Sequence, residues 1–230
     1  MSKSSSPKGG TPIRVFLVED HPVFRLGLRE LIEQELDLHV CGEAENIGAA
    51  LNEITRSRPD MVIIDISLVG RSGLELVKQL KDQMPHLPTL VLSMHEESLY
   101  AERALQAGAR GYIMKHETSD LIVEAIRKVC LGEVYLSAKM TRSVLYKMVG
   151  GTASPPLPQE SLTNRELEVF EMIGKGLTTQ EISQRLSLSA KTVGTYRERI
   201  KEKIQLRNSS ELIQRAVQWV EQTGKQQKDP

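Results

Sequence analysis

The chain reads as an α/β protein followed by an all-α domain. The first part is a doubly wound (βα)5 parallel sheet of order 2-1-3-4-5; a Pro/Gly linker joins it to a four-helix helix-turn-helix domain. Three observations predict this. Short apolar runs alternate with amphipathic stretches through the first 132 residues, the pattern of a parallel sheet covered on both faces. Past residue 161 the strand signal stops and only helical periodicity remains. Between the two, residues 149–160 (VGGTASPPLPQE) hold three prolines and two glycines and little that can pack.

Taken in order, residues 1–12 (MSKSSSPKGGTP) are Ser-, Lys-, Gly- and Pro-rich and read as a disordered tail with no apolar leader. Residues 13–132 form the first domain. Its five strands are IRVFLV (13–18), LHVCGEA (38–44), MVIID (61–65), TLVLSM (89–94) and GYIM (111–114), nearly continuous apolar runs as a sheet buried on both faces requires. Five helices follow them, over Val23–Leu36, Ile47–Arg56, Leu74–Gln83, Leu99–Ala107 and Asp120–Leu131. Residues 133–161 form the linker, including a connecting helix, and 162–223 the second domain. Its helices run over Thr163–Gly174, Thr179–Leu186, Ala190–Ile204 and Ser209–Gln222. Thr163 with Glu166, Thr178 with Glu181, and Ser189 are their capping signals.

Composition excludes several functions. With 40% apolar and 26% charged residues this is a globular composition, and no apolar run approaches the 18 or so residues of a membrane span. Two cysteines make neither a disulfide framework nor a zinc site and suit a reducing cytoplasm. Aromatics at 4% are too few for a single-strand stacking platform. Net charge is zero, yet residues 185–207 carry seven basic side chains against two acidic ones, which points to a phosphate-rich partner.

In a doubly wound sheet, function sits at the carboxyl ends of the strands. Glu19 and Asp20 follow the first strand, Asp65 ends the third, Ser93 the fourth, and Lys115 follows the fifth. Strand order 2-1-3-4-5 brings these side chains to one crevice. Three crowded carboxylates repel unless a cation lies among them, and an all-oxygen set suits Mg2+. Glu19, Asp20, Asp65 and the backbone carbonyl of Ser67 are the expected ligands. A carboxylate can also attack phosphorus to give an aspartyl-phosphate, with Lys115 and the Ser93 hydroxyl stabilising the transferred group. Asp65, alone at the end of the central strand, is the expected phosphoacceptor. His21 and His95 lie near the crevice; because a hard ion prefers oxygen, they read as loop residues that tune access or dephosphorylation.

VFLVEDHP, VIIDISLVGRSG, LVLSMHEE and GARGYIMK together resemble the landmarks of a response-regulator receiver domain over residues 13 to about 132. The resemblance implies Mg2+ at Glu19 and Asp20, phosphorylation of Asp65 by a partner histidine kinase, Ser93 as the switch hydroxyl, Tyr112 as the switch aromatic and Lys115 as the site's cation. The chain has Val69 and His116 where such domains often have proline.

In the second domain, Val193, Tyr196, Ile200 and Ile204 line one face of the third helix, and Ile182 and Leu186 one face of the second. Burying those faces against each other gives a helix-turn-helix whose exposed side fits a major groove. Lys191, Arg197, Arg199, Lys201 and Lys203 would offset phosphate charge; Thr178 and Thr179, opening a helix, would hold a phosphate. Thr192 and Gly194 flank the reading face. Thr195 would touch a thymine methyl and Glu198 accept from a cytosine amino group. Residues 162–204 are similar throughout to a LuxR-type helix-turn-helix domain. A receiver joined to that domain resembles the NarL/FixJ-type response regulators, which implies a phosphorylation-switched transcription regulator rather than an enzyme. The resemblance also implies double-stranded DNA as partner and a homodimer paired through the last helix, where Leu212, Ala216, Trp219 and Val220 form an apolar stripe. That stripe would equally serve to close the domain core. The alternative reading is a DNA-binding regulator switched by a partner or ligand without phosphorylation; a phosphoryl hydrolase is the remaining, weaker one.

Overall fold

The computed structural model describes residues 11–148 and 161–225. The expected tail up to residue 10 and the Pro/Gly segment 149–160 lie outside the described residues. Contacts divide the chain into two compact units near Ser137 and Ala138.

The first unit alternates β1 (Ile13–Val18), α1 (Pro22–Glu33), β2 (Leu38–Ala44), α2 (Ile47–Ser57), β3 (Met61–Ile64), α3 (Gly73–Gln83), β4 (Thr89–Ser93), α4 (Glu97–Ala107), β5 (Gly111–Met114) and α5 (Ser119–Cys130). All pairings are parallel and the order is 2-1-3-4-5, as the alternation predicts. Strand side chains point alternately to the two faces. Val15, Leu17, Ile63, Leu90, Leu92 and Ile113 on one face pack with Leu28 and Ile32 of α1 and Ile122, Ile126 and Val129 of α5. The alternate residues Phe16, Val18, Val62, Ile64, Val91 and Tyr112 are equally buried. Burial on both faces is why these strands carry no polar alternation.

The helix after β1 stops at Glu33 and not at Leu36. The chain turns there, with Leu38 N–H donating to the Glu35 carbonyl at 3.3 Å, and Leu36 is left 98% exposed. Apolar spacing alone extends that helix too far because an exposed leucine looks like the next rung of the stripe.

After α5 the chain returns along the outer edge of β5. Tyr135 bridges Gly111 in parallel; its N–H donates to the Arg110 carbonyl at 2.9 Å, and its carbonyl accepts from Tyr112 N–H at 2.9 Å. Ser137 N–H then donates to Glu97 Oε1 at 2.8 Å, at the first turn of α4.

The second unit contains α6 (Ala138–Met148), the connecting helix, then α7 (Asn164–Gly174), α8 (Thr179–Arg185), α9 (Ala190–Lys203) and α10 (Ser209–Lys225). Thr163 with Glu166 and Thr178 with Glu181 form reciprocal capping boxes, and Ser189 accepts from Thr192 N–H at 3.0 Å. Ser187 adopts a left-handed conformation (φ 51°), which turns the chain between α8 and α9 within the four residues 186–189. Leu167, Phe170, Ile182, Leu186, Val193, Ile200 and Leu212 make the core of the helical domain.

Candidate functional site

The crevice forms as the strand order dictates. β3 ends at Ile64, one residue earlier than its apolar run suggests, so Asp65 stands just outside the ladder with its N–H donating to the Val18 carbonyl at 2.9 Å. Glu19 and Asp65 are buried, at 2% and 3% exposure, and Asp20 is half-buried. One ligand atom from each of Glu19, Asp20, His21 and Asp65 lies within 4.8 Å of the others. Lys115, which follows β5, reaches Glu19 Oε2 at 2.6 Å and Asp65 Oδ2 at 3.0 Å. The second approach is an ion contact without hydrogen-bond alignment, and Asp65 Oδ2 has no hydrogen-bond partner. The ring of Phe24, in α1, lies 4.5 Å from the Lys115 ammonium.

Burial pushes the Glu19 carboxyl up, and the neighbouring Asp65 charge pushes it further, while Lys115 pulls it down. Three carboxylates against one ammonium leave a surplus of negative charge in a site shielded from water. The oxygen donors and the unbonded Asp65 oxygen fit a hard divalent ion such as Mg2+. Gly73 lies against Asp65: a Cβ there would meet the Asp65 carbonyl oxygen at 1.8 Å, so only glycine lets α3 begin against that backbone.

The residues expected to act as the switch meet at His95, which by sequence reads as a loop residue. His95 is buried. Its Nε2 is 2.8 Å from Ser67 Oγ, its N–H donates to Ser93 Oγ at 3.1 Å, and its carbonyl accepts from Tyr112 Oη at 2.6 Å. The ring also packs on Tyr100 of α4, centroids 4.5 Å apart. Ser67, Ser93 and Tyr112 are thus brought together through His95, with the Tyr112 ring fully inside. Only its place two residues beyond Ser93 hinted at this. Arg25 was also missed; it donates to the Glu19 carbonyl at 2.6 Å and pairs with Glu45 at 2.7 Å, and nothing in its spacing marks it.

In the helical unit α9 presents Lys191, Thr195, Glu198 and Arg199 outward, with Thr192, Gly194, Arg197 and Lys201 half-buried beside them. Val193, Ile200 and Ile204 are buried and Tyr196 half-buried, as the stripe predicts. Thr195 Oγ1 donates to the Lys191 carbonyl at 3.1 Å, and Glu198 is paired with Lys201 at 2.8 Å, so a base contact by Glu198 must break that pair. Thr178 and Thr179 stand at the start of α8, but the Thr178 hydroxyl and N–H are both engaged by Glu181. Of the stripe assigned to pairing, Leu212 and Ala216 are fully buried and Trp219 nearly so, its ring 5.4 Å from Phe170. These three belong to the domain's own core, because α7 needs an apolar partner; Val220 is half-buried and Ile213 is 46% exposed.

A phosphoacceptor-type carboxylate crevice on a doubly wound sheet, followed by a helix-turn-helix, defines a class of regulatory protein. Comparison with known proteins gives its family. Residues 15–127 match the response regulator receiver domain and residues 160–216 the bacterial regulatory proteins of the luxR family. The transcriptional activator protein ExaE of Pseudomonas putida is 35% identical over 89% of this chain and 95% of its own length. The oxygen regulatory protein NreC of Staphylococcus carnosus is 30% identical over 89% and 97%. The crystal structure of a LuxR-family two-component response regulator from Aurantimonas sp. SI85-9A1 superposes with a TM-score of 0.56 at 31% identity, over 60% of this chain and 99% of that one. The chain belongs to the NarL-type response regulators: two-component, DNA-binding regulators of transcription. No helix among the described residues is long and apolar enough to cross a membrane.

Proposed function

We propose that the chain accepts a phosphoryl group on Asp65 from a partner histidine kinase and that this controls pairing and major-groove DNA binding in the cytoplasm. The observation that carries the reading is Asp65 Oδ2: a buried carboxylate oxygen beside an ammonium, with no hydrogen bond to hold it. In the transfer that oxygen forms a bond to phosphorus as the bond from phosphorus to the donor's imidazole nitrogen breaks, and the nitrogen keeps the electron pair. Lys115 moves little to face the new anion, and Ser93 is positioned to donate its hydroxyl to a phosphoryl oxygen. Glu19, Asp20, Asp65 and the Ser67 carbonyl would hold Mg2+, which when bound supplies neutralisation of the charge on the phosphoryl oxygens. Movement of Ser93 would be felt at Tyr112 through His95, biasing the packing of α4 and β5.

The test is incubation with acetyl phosphate and Mg2+ followed by intact-mass measurement. Wild type gains a phosphoryl group and Asp65→Asn does not; equal labelling of the variant removes the assignment.

On the DNA side, Lys191→Ala and Arg199→Ala should each weaken binding across sequences and lower the slope of log affinity against log salt by about 1. A slope equal to that of wild type at both positions removes α9 from the groove. Pairing through α10 would use its exposed side, with Val220 and Ile213, since Leu212, Ala216 and Trp219 serve the core.

One observation favours a second reading, a regulator switched by a partner or ligand alone. Tyr112 is inside with its hydroxyl bonded, whereas the resemblance to receiver domains implies that the switch aromatic turns inward on phosphorylation. DNA affinity that is equal with and without acetyl phosphate would select this second reading.

A further inference from the structure

We propose that Lys203 is a positioning residue of α9 and not one of its phosphate contacts: held by the buried carboxylate of Glu166 in α7, it sets how the groove-facing helix is presented to DNA. The inference rests on the reading of α9 as the helix that enters the major groove.

By charge alone Lys203 belongs with the other cations of α9, but its place on the helix separates it from them. At about 100° per residue, Lys203 lies about 20° from Tyr196, at the edge of the inward stripe, and about 80° from Thr195 in the middle of the exposed face. An ammonium there can be turned to either surface. Its Nζ is 2.7 Å from Glu166 Oε2. That carboxylate cannot follow Lys203 outward: its side chain is 3% exposed, and the same oxygen accepts from Thr163 N–H at 2.7 Å as half of the α7 capping box. Burial pushes the Glu166 carboxyl up, but the Lys203 ammonium and the Thr163 donors outweigh it and hold the carboxyl below its ordinary value, so the pair stays charged. A buried carboxylate stripped of its cation is costly, so a DNA phosphate must compete with Glu166 for Lys203.

A second tie comes from the residue before. Arg165, 5% exposed, donates to the Leu186 carbonyl at 3.3 Å, at the end of α8, and pairs with Glu168. The first turn of α7 thus holds both the turn that leads into α9 and the residue at which α9 ends. Apolar packing tolerates small rotations of a helix about its axis; a hydrogen-bonded ion pair at its end does not.

The test uses the full chain and two duplexes: one selected by wild type from a random-sequence pool, and a shuffled duplex of the same length. The variants are Lys203→Gln and Glu166→Gln. Glutamine also serves a capping box at this position, so the second variant removes the charge and keeps the cap. Affinities are measured well below the melting temperature, with the folded state checked by circular dichroism. Both variants should lose about tenfold in affinity for the selected duplex, the scale of one lost base contact, and keep wild-type affinity for the shuffled one. The slope of log affinity against log salt should stay at the wild-type value in both. The double variant should bind no more weakly than either single one. A phosphate contact gives the opposite pattern: Lys203→Gln lowers the slope by about 1 on both duplexes, and Glu166→Gln, by freeing the ammonium, tightens binding. That pattern overturns the inference. So does wild-type affinity of both folded variants for both duplexes, which would make the pair a matter of stability alone. If Glu166→Gln does not fold, Lys203→Gln decides by its slope and its duplex preference. A pool that yields no preferred duplex for wild type overturns the groove reading together with the inference.

Discussion

At the end of α5, Arg127 donates to both oxygens of Asp37, at 2.6 and 2.8 Å, and to Glu35 at 2.7 Å, clamping the turn that leads into β2. These hydrogen bonds hold the Asp37 carboxyl below its ordinary value of 3.8, against a smaller opposing effect of burial. A carboxyl lowered on folding contributes stability above its unfolded pKa and loses that contribution as pH falls through the folded one. Asp37→Asn should therefore cost about 0.5–1 kcal/mol at pH 7, the scale of a partly exposed ion pair. The cost should fade once the pH drops well below 3.8, with thermal melts across pH as the measurement. At this scale the sequence shows charged groups well when they end strands, as Glu19, Asp65 and Lys115 do. It hides groups whose role is set by what folds over them. His95 looks like one more loop histidine until the β4 terminus and Tyr112 close around it.

Elements were the most legible level. Strand runs and capping signals placed all five strands and the four helices of the second domain within a few residues. The errors fell where an apolar residue continues a period without continuing the helix, as at Leu36, and where one stripe could serve two surfaces, as along α10. The choice in α10 is made by α7. A Cβ on Gly174 would lie 2.4 Å from the Ala216 carbonyl oxygen and 2.6 Å from a Val220 methyl, so the two helices touch through a glycine. Gly174→Ala should push α10 away and cost about 1–3 kcal/mol, the usual penalty of overpacking. The same variant should weaken DNA binding only through stability, so affinity measured well below the melting temperature should remain near wild type. A large loss of affinity at full folding would mean that α10 positions α9 directly.

For the whole molecule, two separate cores make each unit a candidate for independent folding. A fragment of residues 11–137 should melt cooperatively and take up phosphoryl from acetyl phosphate. Cutting at Gly132 instead removes the three hydrogen bonds that Tyr135 and Ser137 make with Arg110, Tyr112 and Glu97. At about 1 kcal/mol each, that should lower the melting temperature by about 10–15 °C. Equal melting of the two fragments would show that the returning segment is idle. An open sheet ordinarily ends in a row of unmet donors and acceptors that invites a foreign strand. On the β5 side this protein meets that need with its own outgoing peptide, tied to the amide of Tyr112. Deuterium uptake at that amide consequently becomes a gauge of tension on the outgoing chain: slow while the tie holds, fast once the tether lifts.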